Sequence, residues 1–144
     1  MKQTIYKFLT AIYLISSVSA FAAEDNNPDK RISLGLNATE KVAFLTEMQQ
    51  MLASIQGILI GMGEDDRQKI MNSARASGNK MARATPESIK QKLPPAFKAL
   101  GGPTHMLFEE LAIYAETDDM DMLAAFSGKL MQQCMNCHAM FKVD

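Results

Sequence analysis

The 144-residue chain has no tryptophan, only two cysteines and two histidines, and no run of about twenty apolar residues. Each scarcity excludes something. A mature chain without such a run does not span a bilayer. Fifteen basic against sixteen acidic residues give a net charge of −1, which is no nucleic-acid binder by bulk charge. A structural zinc needs four ligands, and beyond Cys134, Cys137 and His138 only His105 remains, leaving that site incomplete. No βαβ pattern surrounds the cysteines, so a thioredoxin-like redox pair lacks its expected setting. Missing tryptophan, high alanine content and twelve methionines favour helix over sheet.

What is present concentrates near the C-terminus, where the chain reads Cys134-Met135-Asn136-Cys137-His138. Two thiols three residues apart, followed directly by histidine, match the c-type haem attachment signature. Each thiol bonds a vinyl group and the histidine ligates iron. On a helix the three side chains fall within one turn on one face and can meet one flat macrocycle; a strand would divide them. Two buried core cysteines are the remaining alternative. With both thiols committed to haem, no disulfide is available.

Met1 to Ala22 reads as a cleaved secretory signal. Lys2 and Lys7 form a positive start, Phe8 to Val18 an apolar run, and Ala20-Phe21-Ala22 an A-x-A site. The apolar run is too short for a retained anchor. Export to the periplasm suits covalent haem attachment, which takes place on the far side of the bacterial cytoplasmic membrane. Cleavage removes two lysines and no acids, leaving a net charge of about −3 on one domain over 23–144.

That domain is predicted to be all-α, an up-down-up-down four-helix bundle. After an irregular leader over 24–33, Asn37 and Glu40 form a capping box. Val42, Leu45, Met48, Leu52, Ile55, Leu59 and Met62 then mark one stripe of a helix over about 38–61, ended by Gly61 and Gly63. Glu64, Asp65 and Asp66 open a second helix, whose stripe of Ile70 or Met71, Ala74, Ser77 and Met81 is small-residued. Residues 85–102, with Pro94-Pro95, read as a connector with one or two short turns, closed by Gly101-Gly102. A third helix runs from Pro103 to Glu116, with Phe108, Leu111, Ala112 and Ala115 inward. Thr117, helped by Asp118 and Asp119, caps a fourth helix, whose stripe of Met120, Leu123, Ser127 and Leu130 continues through Cys134 and Cys137 to Phe141.

The segment 134–142 fits C-x-x-C-H-x-x-[FY]-[KR] near the C-terminus, and with four helices behind a signal the chain resembles the class II cytochromes c, the cytochrome c′ family. The resemblance implies thioether bonds at Cys134 and Cys137, one haem c, and His138 as proximal iron ligand. It also implies a sixth iron position facing the first helix. Low-spin members supply a methionine there, and Glu47-Met48-Gln49-Gln50-Met51 offers Met48, on the stripe, with Met51, His105 or no protein ligand as alternatives. Where relatives carry a basic residue one turn earlier to hold a propionate, Glu47 and Gln49 stand, leaving Lys41, Lys90, Lys92 and Lys98 as candidates.

The expected function is a periplasmic electron carrier with no substrate chemistry, serving periplasmic or membrane-bound redox proteins. A five-coordinate haem protein binding nitric oxide or carbon monoxide is the alternative. A peroxidase lacks a distal histidine and arginine pair. The resemblance also implies a possible homodimer. Finally, acids should gather at one end of the bundle (Glu64, Asp65, Asp66, Glu116, Asp118, Asp119 and Asp121). Bases should gather at the haem end (Lys30, Arg31, Lys41, Lys80, Arg83, Lys90, Lys92, Lys98 and Lys142).

Overall fold

The computed structural model describes residues 28–144; the expected signal over 1–22 lies outside them. The described chain is all-α apart from one two-residue strand pair. Strand β1 is Ile32–Ser33, followed by helices α1 (Ala38–Gly63), α2 (Arg67–Ala76), α3 (Asn79–Ala84), α4 (Glu87–Lys92), α5 (Pro95–Tyr114) and α6 (Met120–Met140), then β2 (Phe141–Lys142). Helix α1 packs on α2 and α6, and α5 on α2, α3 and α6. Among the described residues no helix is long and apolar enough to cross a membrane.

The start of α1 follows the sequence. Asn37 Oδ1 accepts from the Glu40 N–H at 3.0 Å while Glu40 Oε2 accepts from the Asn37 N–H at 2.9 Å, satisfying two orphan donors reciprocally. Its end lies two residues further on, at Gly63, and Gly61 is buried inside it. A Cβ on Gly61 would lie 2.8 Å from Ile70 Cγ1 and 3.1 Å from the Asp66 carbonyl oxygen. The glycine therefore serves close approach of α2, not helix termination. The turn is made instead at Asp65, a non-glycine residue with φ of +54°.

The second expected helix is broken. Helix α2, capped by Asp66 Oδ1 on the Lys69 N–H at 2.9 Å, stops at Ala76. The chain resumes as α3 after Ser77 and Gly78. Ser77 turns its carbonyl towards His105 Nδ1, 2.8 Å away, and its hydroxyl towards the Ser54 hydroxyl, 2.8 Å away. These tertiary bonds replace those that would have continued the helix.

The connector expected over 85–102 is largely helical. Leu93 is extended before Pro94, ending α4, and Pro95 then opens α5 at its first turn, where a missing N–H costs nothing. Helix α5 passes through Gly101, Gly102 and Pro103 without stopping, so the third helix begins eight residues earlier than the sequence suggests. Pro103 cannot donate to the preceding turn, and Thr104 Oγ1 bonds the Leu100 carbonyl at 2.8 Å beside it. Helix α6 is capped by Asp119, whose Oδ1 accepts from the Met122 N–H at 2.8 Å, rather than by Thr117.

Two apolar clusters result. The larger joins Ile55 and Ile58 of α1, Ile70 and Ala74 of α2, Phe108, Leu111 and Ala112 of α5, and Leu123 and Leu130 of α6. The smaller gathers Leu34, Phe44, Ile89, Leu93, Phe97 and Phe141, with Met48 and Cys137 packed against it. The buried face of α1 keeps Met48, Ile55 and Met62 of the expected stripe but is rotated towards Phe44, Met51 and Ile58. Phe44, Met48, Met51, Ile55, Ile58 and Met62 recur at the same three-and-four spacing and turn inward, whereas Val42, Leu45, Leu52 and Leu59 are 44 to 70% exposed. Apolar residues on two flanks make periodicity alone ambiguous here.

Candidate cofactor cavity

Leu45 and Leu52 are exposed because they border a cavity of about 410 Å³ between α1, α5 and α6, within the ~300–1,000 Å³ range of small-molecule and cofactor sites. Helix α6 contributes Met131, Cys134, Met135, Cys137 and His138; α1 contributes Leu45, Met48, Met51, Leu52 and Ile55; and α5 adds Phe97, Gly101, Thr104 and His105. The structure thus brings the whole C-x-x-C-H set to one space, faced by both candidate methionines. The residues fit a covalently held macrocycle: a mostly apolar chamber, two thiols and an imidazole from one helix, and thioethers from another.

The thiols are half-buried, and Cys134 Sγ lies 3.8 Å from the Leu130 carbonyl. Burial raises both thiol pKa values above the usual range, with the neighbouring Cys134 adding to the effect at Cys137. A redox cysteine pair instead depends on a lowered pKa and a stabilised thiolate. Among the described residues no three His, Cys, Asp or Glu side chains are grouped to hold a bare metal ion.

His105, one of the possible iron ligands, is engaged by the protein itself. Its Nδ1 donates to the Ser77 carbonyl at 2.8 Å and its Nε2 lies 3.4 Å from Glu47 Oε1. Thr85 Oγ1 donates to the other Glu47 oxygen at 3.1 Å. Burial of the imidazole disfavours its charge, but the Glu47 carboxylate and the Ser77 carbonyl outweigh that and raise its pKa. This contact between Glu47 and His105, spanning α1 and α5, was hidden in the sequence. Glu47 and His105 are 58 positions apart and share no motif.

Of the lysines considered for a propionate, none lines the cavity. Lys92 Nζ pairs with Glu40 at 2.5 Å and Lys90 Nζ donates to the Arg83 carbonyl at 3.0 Å. The polar side chains on the cavity wall are Glu47, Gln49, Thr104, His105 and Gln133, with His138. The anticipated basic ring is partly neutralised as well, since Arg31 pairs with Asp29 and Lys142 with Asp144. At the opposite end, Arg67 donates to the Ala115 and Asp118 carbonyls at 2.9 and 2.7 Å, tying the start of α2 to the α5–α6 turn.

The described part of the leader, from residue 28 on, is tied to the C-terminal end of the chain rather than irregular. Strand β1 pairs in parallel with β2, Ile32 opposite Phe141 and Ser33 opposite Lys142, and the Leu34 N–H donates to the Lys142 carbonyl at 3.0 Å. The N-terminal segment is thereby fixed to the residues that follow the C-x-x-C-H motif. Comparison with protein-family models finds no match to this chain, and comparisons with curated proteins and with solved structures find none either.

Proposed function

We propose that this chain is an exported mono-haem c-type cytochrome that carries electrons in the periplasm, with a cytochrome c′-like bundle formed by α1, α2 with α3, α5 and α6. One observation carries the reading. The C-x-x-C-H side chains of α6 and the Met48–Met51 segment of α1 line one mostly apolar cavity, which the exposed Leu45 and Leu52 also border. Cys134 and Cys137 would hold haem c by thioether bonds and His138 would ligate iron. Bound there, haem supplies a reversible one-electron couple.

The chain's own groups would tune that couple. Met48 is favoured as sixth ligand because it packs against the same cluster as Cys137, whereas Met51 packs against the larger core. The Ile55 and Phe97 walls are apolar, and low polarity around the site would favour the less charged state. Residues 1–22 would direct export, and periplasmic or membrane-bound redox proteins would be the partners.

The gas-binding alternative also has an observation in its favour. Leu45, Leu52 and Ile55 stand on the same α1 wall of the cavity, and an apolar side chain of that wall against the iron would leave the sixth position without a protein ligand. The deciding experiment is mass spectrometry of the mature protein with absorption spectra of both oxidation states. Apo mass plus one haem that survives acid-acetone extraction supports the reading, and colourless extracted protein sinks it. A low-spin spectrum assigns electron transfer, and a high-spin one gas binding.

A further inference from the structure

The structure gives the described part of the leader a task that the cavity alone does not explain. The last four carbonyls of a helix have no partner within it, and in α6 these belong to Cys137, His138, Ala139 and Met140. The Cys137 carbonyl accepts from the Phe141 N–H. The His138 carbonyl accepts from Arg31 Nη1, 3.3 Å away and 107 residues earlier in the chain.

That guanidinium is not free to wander. Its Nε donates to Asp29 Oδ1 at 2.9 Å and its Nη2 to Asp29 Oδ2 at 2.8 Å, a two-pronged pairing that fixes the plane of the fork as a lysine could not. Just beyond it, the β1–β2 pair and the Leu34 to Lys142 bond hold the same segment, and Leu34 is buried beside Phe141. One attachment therefore grips the last turn of α6, the part of a helix most prone to fray, and two more grip β2 directly after it.

We infer that the segment Asp29–Leu34 is a strap that sets the orientation of the His138 imidazole, with Arg31 as the positioning residue acting through the His138 carbonyl. The inference rests on His138 being an iron ligand. Groups behind a metal-bound histidine ordinarily act by fixing its ring; here the hold is on the backbone of the ligand, from a segment outside the helices.

The test uses the purified full-length holoprotein and its Arg31→Gln, Arg31→Lys and Asp29→Asn variants. Electron paramagnetic resonance of the ferric state reads the ligand field, and amide exchange reads the last turn of α6. Positioning predicts one sharp ligand-field species in the parent protein. It predicts shifted or multiple species in both Arg31→Gln and Arg31→Lys, and faster exchange at Phe141. Asp29→Asn, which keeps the guanidinium but loosens it, changes in the same direction by less. An unchanged resonance in Arg31→Gln overturns the inference even if exchange or melting shifts, because the strap is then only a latch. A spectrum lost in Arg31→Gln but kept in Arg31→Lys overturns it too, in favour of simple charge. Protein purified without covalent haem overturns the cytochrome reading first, and this inference with it.

Discussion

His105 Nε2 on α5 lies 3.4 Å from Glu47 Oε1 on α1, in the residue immediately before Met48. The pair joins two walls of the cavity, and its partners extend to Thr85 and Ser77.

Because the folded pKa of His105 is raised above the ~6.5 of an unfolded histidine, its contribution to stability has a definite sign. It is fully present below the unfolded value and is lost as pH rises through the folded value. Urea unfolding at a series of pH values should show stability declining across that window. His105→Gln should flatten the decline, and an equal slope in the variant would assign it to another group.

Cys134→Ala with Cys137→Ala should abolish covalent retention, so that acid-acetone strips all colour, while each single variant keeps one thioether. Retained haem in the double variant would refute the attachment.

Met48→Ala should convert a low-spin protein to a high-spin one that binds carbon monoxide when reduced, with loss of the weak sulfur-to-iron band in the near infrared. Met51→Ala should keep that band. The reverse pattern would move the ligand to Met51.

Two glycines two residues apart should respond oppositely to alanine. Gly61→Ala places a methyl against Ile70 and the Asp66 backbone and should cost about 1–3 kcal/mol, as overpacking does. Gly63 has nothing within 4 Å of its added methyl, so Gly63→Ala should be neutral or gain up to ~1 kcal/mol of helix propensity. Thermal or urea denaturation of both variants decides it, and equal losses would place the α1–α2 contact elsewhere.

What the sequence reveals and hides divides by range. The Asn37–Glu40 capping box is local and legible, as are the α6 face carrying Leu123, Ser127 and Leu130 and the inward residues Phe108, Leu111, Ala112 and Ala115 of α5. The break at Ser77 is not legible, because it depends on a histidine 28 positions later. Helix α5 begins early because Pro95 sits at a first turn, a position that the neighbouring Pro94 disguises as a stop. On α1 the exposed Leu45 and Leu52 are spaced like core residues, and only the neighbouring helices decide which flank turns inward. The cavity residues Cys134, Cys137 and His138 stand out as a short motif; Glu47 with His105, and Arg31 with His138, come together only through the fold.

The parallel pairing of Ile32–Ser33 with Phe141–Lys142 also constrains the order of folding. A chain delivered from its N-terminus presents β1 long before β2 exists, so β1 waits without its mate until Phe141 and Lys142 have emerged. The smaller apolar cluster waits too, because Phe141 supplies one of its walls. Contacts of such sequence separation carry a large loop-closure cost and form late. The larger cluster needs nothing beyond Leu130 and can assemble first, leaving the Cys134–His138 turn open to other molecules until closure of the two ends completes the fold.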